Sequence, residues 1–161
     1  MNEGKSMFKK TLMMVFAASA LVMSGCASDG KTAAAGATAG AGGADVFGKE
    51  IYLRGEMNDW AALPEYKVVM VEKGVYKAKA NLKVDWAPYK FKFADGAWTP
   101  GTNFGYAEVP GVFEIGKDPV VLNPNSKFEE VKVTPPTDGD YDFYIDIRGE
   151  KPVTYVKPAG Q

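Results

Sequence analysis

Apolar and polar residues alternate with a period of two through most of the chain beyond Val46. In Tyr89-Lys90-Phe91-Lys92-Phe93 the aromatics share one face and the lysines the other. Tyr76, Ala78, Ala80 and Leu82 likewise point one way, while Lys77, Lys79 and Asn81 point the other. The same rule puts Tyr141, Phe143, Ile145 and Ile147 on an inward face. Strands are predicted over residues 50–55, 66–72, 75–82, 89–94, 112–115, 127–133, 141–148 and 153–157. Turn residues recur roughly every eight to twelve positions, and no segment carries a sustained helical period. The expected fold class is all-β, an antiparallel β-sandwich over residues 46–161, long enough to bury one core.

The chain before that domain reads differently. Lys5, Lys9 and Lys10 precede an apolar run over residues 11–23, shorter than the ~20 residues a bilayer span needs. The run ends in Met23-Ser24-Gly25-Cys26, which resembles the lipobox of bacterial lipoproteins, with Met23 where that family prefers Leu. The resemblance implies a signal peptide over residues 1–25, removed before Cys26, and lipidation of Cys26. An acylated cysteine would anchor the chain to a membrane stably, since two or more acyl chains hold where one does not. Ala27, rather than Asp, follows the cysteine and resembles the outer-membrane sorting pattern of Gram-negative lipoproteins. The expected location is the cell envelope, at the outer membrane. Residues 26–45 are expected to be a flexible tether, with Ala27 to Asp45 almost wholly Ala, Gly, Ser and Thr and without a bulky apolar residue, too poor in apolar surface to order itself.

The 161 residues are 46% apolar and 24% charged, a globular composition. The chain has no histidine, which excludes Ser-His, Cys-His and His-metal chemistry. A single cysteine cannot close an internal disulfide. Net charge is −1, and removal of the signal peptide with its three lysines and Glu3 takes it to −3. With no basic block, nucleic acid is not an expected partner. Asp138-Gly139-Asp140-Tyr141-Asp142 spaces three carboxylates like the opening of a calcium loop, but Gly149 stands where the bidentate Glu would be. That segment is read as a charged turn before an edge strand, and no metal or cofactor is expected. With no cleft of paired carboxylates, no catalytic residue is assigned and the protein is not expected to be an enzyme.

The tryptophans point to binding. Trp60 and Trp98 lie just past predicted strands, and Trp86 lies in a Pro-flanked connection. A flat indole matches the C–H face of a pyranose ring, and nearby amide or lysine groups can meet its hydroxyls. Leu53-Arg54-Gly55-Glu56-Met57-Asn58-Asp59-Trp60 resembles the Gly-x-Phe-Asn-x-Trp segment of glycogen-binding modules. Tyr89-Lys90-Phe91-Lys92-Phe93-Ala94-Asp95-Gly96-Ala97-Trp98 resembles their Tyr-Lys-Phe-x-x-Asp-Gly-x-Trp segment, and Gly74-Val75-Tyr76 the strand start between. These are the early-set immunoglobulin-like modules: family 48 carbohydrate-binding modules, the β subunit of AMP-activated protein kinase and, most similar, N-terminal domains of pullulanases. The resemblance runs over residues 50–116.

It implies an immunoglobulin-like sandwich and non-catalytic binding of an α-glucan such as starch, glycogen or maltodextrin. Trp60 and Trp98 match the family's two tryptophans. Its lysine matches either Lys90 or Lys92, which share a face, so both are carried. Asn103 is a candidate hydroxyl partner from the following loop. The alternative function is a structural lipoprotein whose sandwich docks a protein partner in the envelope.

Overall fold

A computed structural model describes residues 47–161. The signal peptide, Cys26 and the spacer expected over residues 1–45 lie outside the described residues. Ten strands run in chain order: β1 (Tyr52–Gly55), β2 (Val69–Glu72), β3 (Val75–Leu82), β4 (Tyr89–Ala94), β5 (Asn103–Tyr106), β6 (Val112–Phe113), β7 (Val120–Asn123), β8 (Val131–Val133), β9 (Gly139–Asp146) and β10 (Val153–Pro158). Short 3₁₀ turns at Glu56–Asn58, Pro64–Tyr66 and Val84–Trp86 connect them.

The hydrogen-bonded order is β2-β3-β9-β10-β7-β5-β4-β8-β6, with β1 added to β4. The two long ladders, β3 with β9 and β9 with β10, are antiparallel, as is β1 with β4. The path curls on itself, so that Phe91 of β4 meets Phe143 of β9 edge-to-face at 5.0 Å. This is an all-β sandwich, and its core is the face predicted from the alternation: Tyr76, Leu82, Phe91, Phe93, Phe143 and Ile145 are all buried. Leu53, Val131 and Val156 complete it from the flanking strands.

The structure departs from the expected elements in specific places. One pair, β6 with β8, is parallel, so the sandwich is not purely antiparallel. β5 and β7 were not expected. β7 is an apolar Val-Val-Leu run between two prolines, with no alternation to mark it. β5 contains Gly105, where a Cβ would collide with the Glu129 carbonyl and the Ser126 hydroxyl. Its missing side chain, which weakens the strand signal, is what lets the Ser126–Glu129 segment close over β5. Residues 66–68 and 127–130 were expected in strands, but β2 starts at Val69 and β8 at Val131. In the latter case the Glu129 carboxylate accepts the amides of Lys127 and Phe128 at 2.6 and 3.0 Å and folds the chain into a turn. β9, taken as an edge strand, lies between β3 and β10. The three carboxylates at its start have separate partners, Asp138 the Val84 amide and Lys83, Asp140 the Asn81 side-chain amide and Asp142 the Lys77 ammonium.

Candidate functional site

The site is built on the outer face of β1 and β4 by the turns that leave them. Asn58 makes the first turn. Its side-chain oxygen accepts the Gly55 amide at 2.9 Å, and its amide donates to the Leu53 carbonyl at 2.9 Å. The Trp60 amide then closes on the Gly55 carbonyl at 2.9 Å. Asp59 and Trp60 have φ of 50° and 61°, left-handed values that non-glycine residues avoid.

Asp95 makes the second turn. Its carboxylate accepts the Thr99 amide at 2.8 Å, the Thr99 hydroxyl at 2.6 Å and the Lys49 ammonium at 2.9 Å. Trp98, carried by that loop, is also left-handed, with φ of 58°. Two strained tryptophans in one place are a functional signal, because such strain persists only where the surroundings impose it.

The two indoles meet at a centroid distance of 6.2 Å and an interplanar angle of 47°. Both are half-buried. With Lys92, Asn103, Phe128 and Glu130 they line a cavity of about 320 Å³. Lys92 is only 2% exposed, beneath the site. Its ammonium donates to the Lys127 carbonyl at 3.2 Å and lies 5.8 Å from the Trp98 ring. Burial pushes its pKa below the usual lysine range, partly offset by Glu129 and Glu130. Asn103 is 6% exposed, and its side-chain oxygen has no hydrogen-bond partner among the described residues. A buried acceptor at a cavity wall is costly until a ligand donor reaches it.

The structure thus brings Trp60, Trp98, Lys92 and Asn103 together. Lys90 points to the same face of β4 but does not line the cavity, and its amide is bound by Glu56 at 2.8 Å. Trp86 is 74% exposed on its own turn, away from the cavity lining. Phe128 was missed. It is 82% exposed on the turn that Glu129 pins, and it lines the same cavity. The sequence signal was a lone Phe inside the polar run Asn125-Ser126-Lys127-Phe128-Glu129-Glu130. No group of residues with metal-ligating side chains forms a cluster among the described residues.

The Asp95 clamp yields a pH prediction. Burial raises the carboxyl pKa, but the Thr99 and Lys49 hydrogen bonds outweigh it and hold the group at about 2, against 3.8 ordinarily. A depressed pKa means stability fully present above the unfolded value and lost as pH falls through the folded one. The domain should therefore lose about 2 kcal/mol of stability between roughly pH 4 and pH 2 through this group. Asp95→Asn should flatten that limb of the denaturation profile; an unchanged acid limb would show that the clamp is not formed in solution.

No protein-family model matches this chain, and no curated protein matches it. Among solved structures, one described as "Ligand induced structure of AmyP-SBD" is similar, with a TM-score of 0.53 and 21% sequence identity. The match covers 84% of this chain and 96% of that one. At that identity the likeness is one of fold, and it agrees with the sandwich described above.

Proposed function

We propose that this domain binds an α-glucan without catalysis, on a platform made by Trp60 and Trp98, and that acylation of Cys26 holds it in the cell envelope, at the outer membrane. The observation that carries the reading is the indole pair tilted by 47° beside the unpartnered Asn103 oxygen. Tilted planes fit a chain that bends between successive sugars, as α-1,4-linked glucose does. A flat β-1,4 chain calls for a coplanar strip of rings. Lys92 and the Asn103 side chain then meet hydroxyls within the cavity, and Phe128 of the same lining offers the sugar a further apolar face. The starch-binding domain with the similar fold supports the same ligand class. Glu130 is the one carboxylate among the described residues lining the cavity, whereas glycoside hydrolysis uses a pair across the bond.

The test is retention of the detergent-solubilised full chain on insoluble starch, with maltoheptaose quenching its tryptophan fluorescence and cellohexaose inert. Affinity should fall between micromolar and millimolar, roughly −8 to −4 kcal/mol. Labelled palmitate should enter the wild type and not Cys26→Ser. A wild type that binds no glucan would favour the second reading, docking of an envelope protein partner. For that reading the surface is the hollow of about 500 Å³ lined by Phe113, Ile115, Pro119, Tyr155 and Val156.

A further inference from the structure

Arg54 on β1 stands directly opposite Lys92 on β4, and both side chains are buried. Two like charges side by side oppose sheet pairing. No ion pair among the described residues includes either of them. The guanidinium of Arg54 instead reaches the turns that carry the two tryptophans. Its guanidinium carbon lies 3.6 Å from the centroid of the Trp98 ring. Its Nε donates to the Trp60 carbonyl at 2.7 Å. One terminal nitrogen donates to the Asp95 carbonyl at 2.8 Å and reaches the Gly96 carbonyl at 3.3 Å.

We propose that Arg54 is a positioning residue that holds the Trp98 ring by stacking and the Trp60 turn by its carbonyl, so that the platform is set before any ligand arrives. The inference rests on the α-glucan reading for its consequence, but its geometry stands without a ligand. Trp60 and Trp98 come from turns far apart in sequence, and each sits at a backbone angle that needs outside support. A guanidinium can provide it for both. Its fixed fork serves two carbonyl directions while its flat face stacks on a ring. A lysine here would keep the charge and lose the fork. The buried like-charge neighbour is then tolerated because the Trp98 ring is shared, with its π-face toward Arg54 and Lys92 at the longer 5.8 Å.

The test uses Arg54→Met and Arg54→Lys in the full chain. Two indoles at 6.2 Å and 47° couple their transitions, giving an exciton couplet in circular dichroism to which Trp86, in no ring pair among the described residues, does not contribute. In Arg54→Met the couplet should vanish without ligand, and maltoheptaose binding should weaken about tenfold or more. Arg54→Lys should recover part of the couplet and part of the affinity. A folded Arg54→Met with the wild-type couplet and affinity, and only a lower melting temperature, would overturn the proposal. Should Arg54→Met not fold, the wild type still decides. Its Arg54 guanidinium protons should be shifted upfield by the ring current and exchange slowly in NMR, and ordinary shifts with fast exchange would overturn the assignment. If the wild type binds no glucan, the α-glucan reading fails, while the couplet and ring-current shifts continue to test the positioning role.

Discussion

Replacing Trp60 and Trp98 together by alanine is expected to abolish retention on insoluble starch and quenching by maltoheptaose in a chain that still unfolds cooperatively. Each ring alone should contribute on the order of 1–3 kcal/mol to binding, as central aromatic residues of interfaces do. Trp98→Ala should be the more damaging single change. Its ring also covers two buried cations, Arg54 at 3.6 Å and Lys92 at 5.8 Å. Trp86→Ala is the control, since that exposed indole is not part of the cavity. If the pair served only to plug one end of the sandwich, the double variant would melt earlier while its folded fraction kept the affinity of the wild type. Measuring affinity and melting on the same sample therefore separates the two roles.

The second large effect is on stability. Phe143 is fully buried on β9, and its ring meets Phe91 of the opposite layer edge-to-face at 5.0 Å. Phe143→Ala removes that contact and leaves a cavity between the layers, at a cost of about 3–5 kcal/mol. Against a total of about 5–15 kcal/mol for a domain, this should lower Tm by roughly 10–20 °C. Calorimetry checks it. A loss below about 1 kcal/mol would mean that the two layers do not meet through this ring. Binding by the fraction that remains folded should be unaffected, because Phe143 is in the core and not in the cavity lining.

How far the sequence could be read follows from where the signals lie. β3, β4 and β9 alternate cleanly, and the faces assigned to Tyr76, Phe91 and Phe143 are the ones that meet in the core. That Trp60 and Trp98 lie just past strands was also legible; the turns themselves are made by Asn58 and Asp95, side chains that bond to nearby backbone. What could not be read were long-range placements. β7 has no alternation, and Gly105 erases the pattern of β5 for a reason visible only once Ser126 and Glu129 are seen above it. Phe128 was lost for the same cause. Its turn is defined by the Glu129 carboxylate bonding back to two amides, so the segment imitates a strand in sequence without forming one. Lys90 and Lys92 could not be separated by alternation, since a shared face does not say which one lines the cavity; Lys92 does, where Trp98 and Lys127 fold back.

The position of β10 has a consequence for how the chain comes together. Val153–Pro158 is inserted between β9 and β7, and β7 in turn pairs with β5, which pairs with β4 of the layer that carries the tryptophans. The two layers cannot be locked until this late segment is available. Most of the ladders pair residues distant in sequence, as Leu82 does with Gly139, so closure is slow as well as late. Until then β9 and β7 lack the strand that pairs with both.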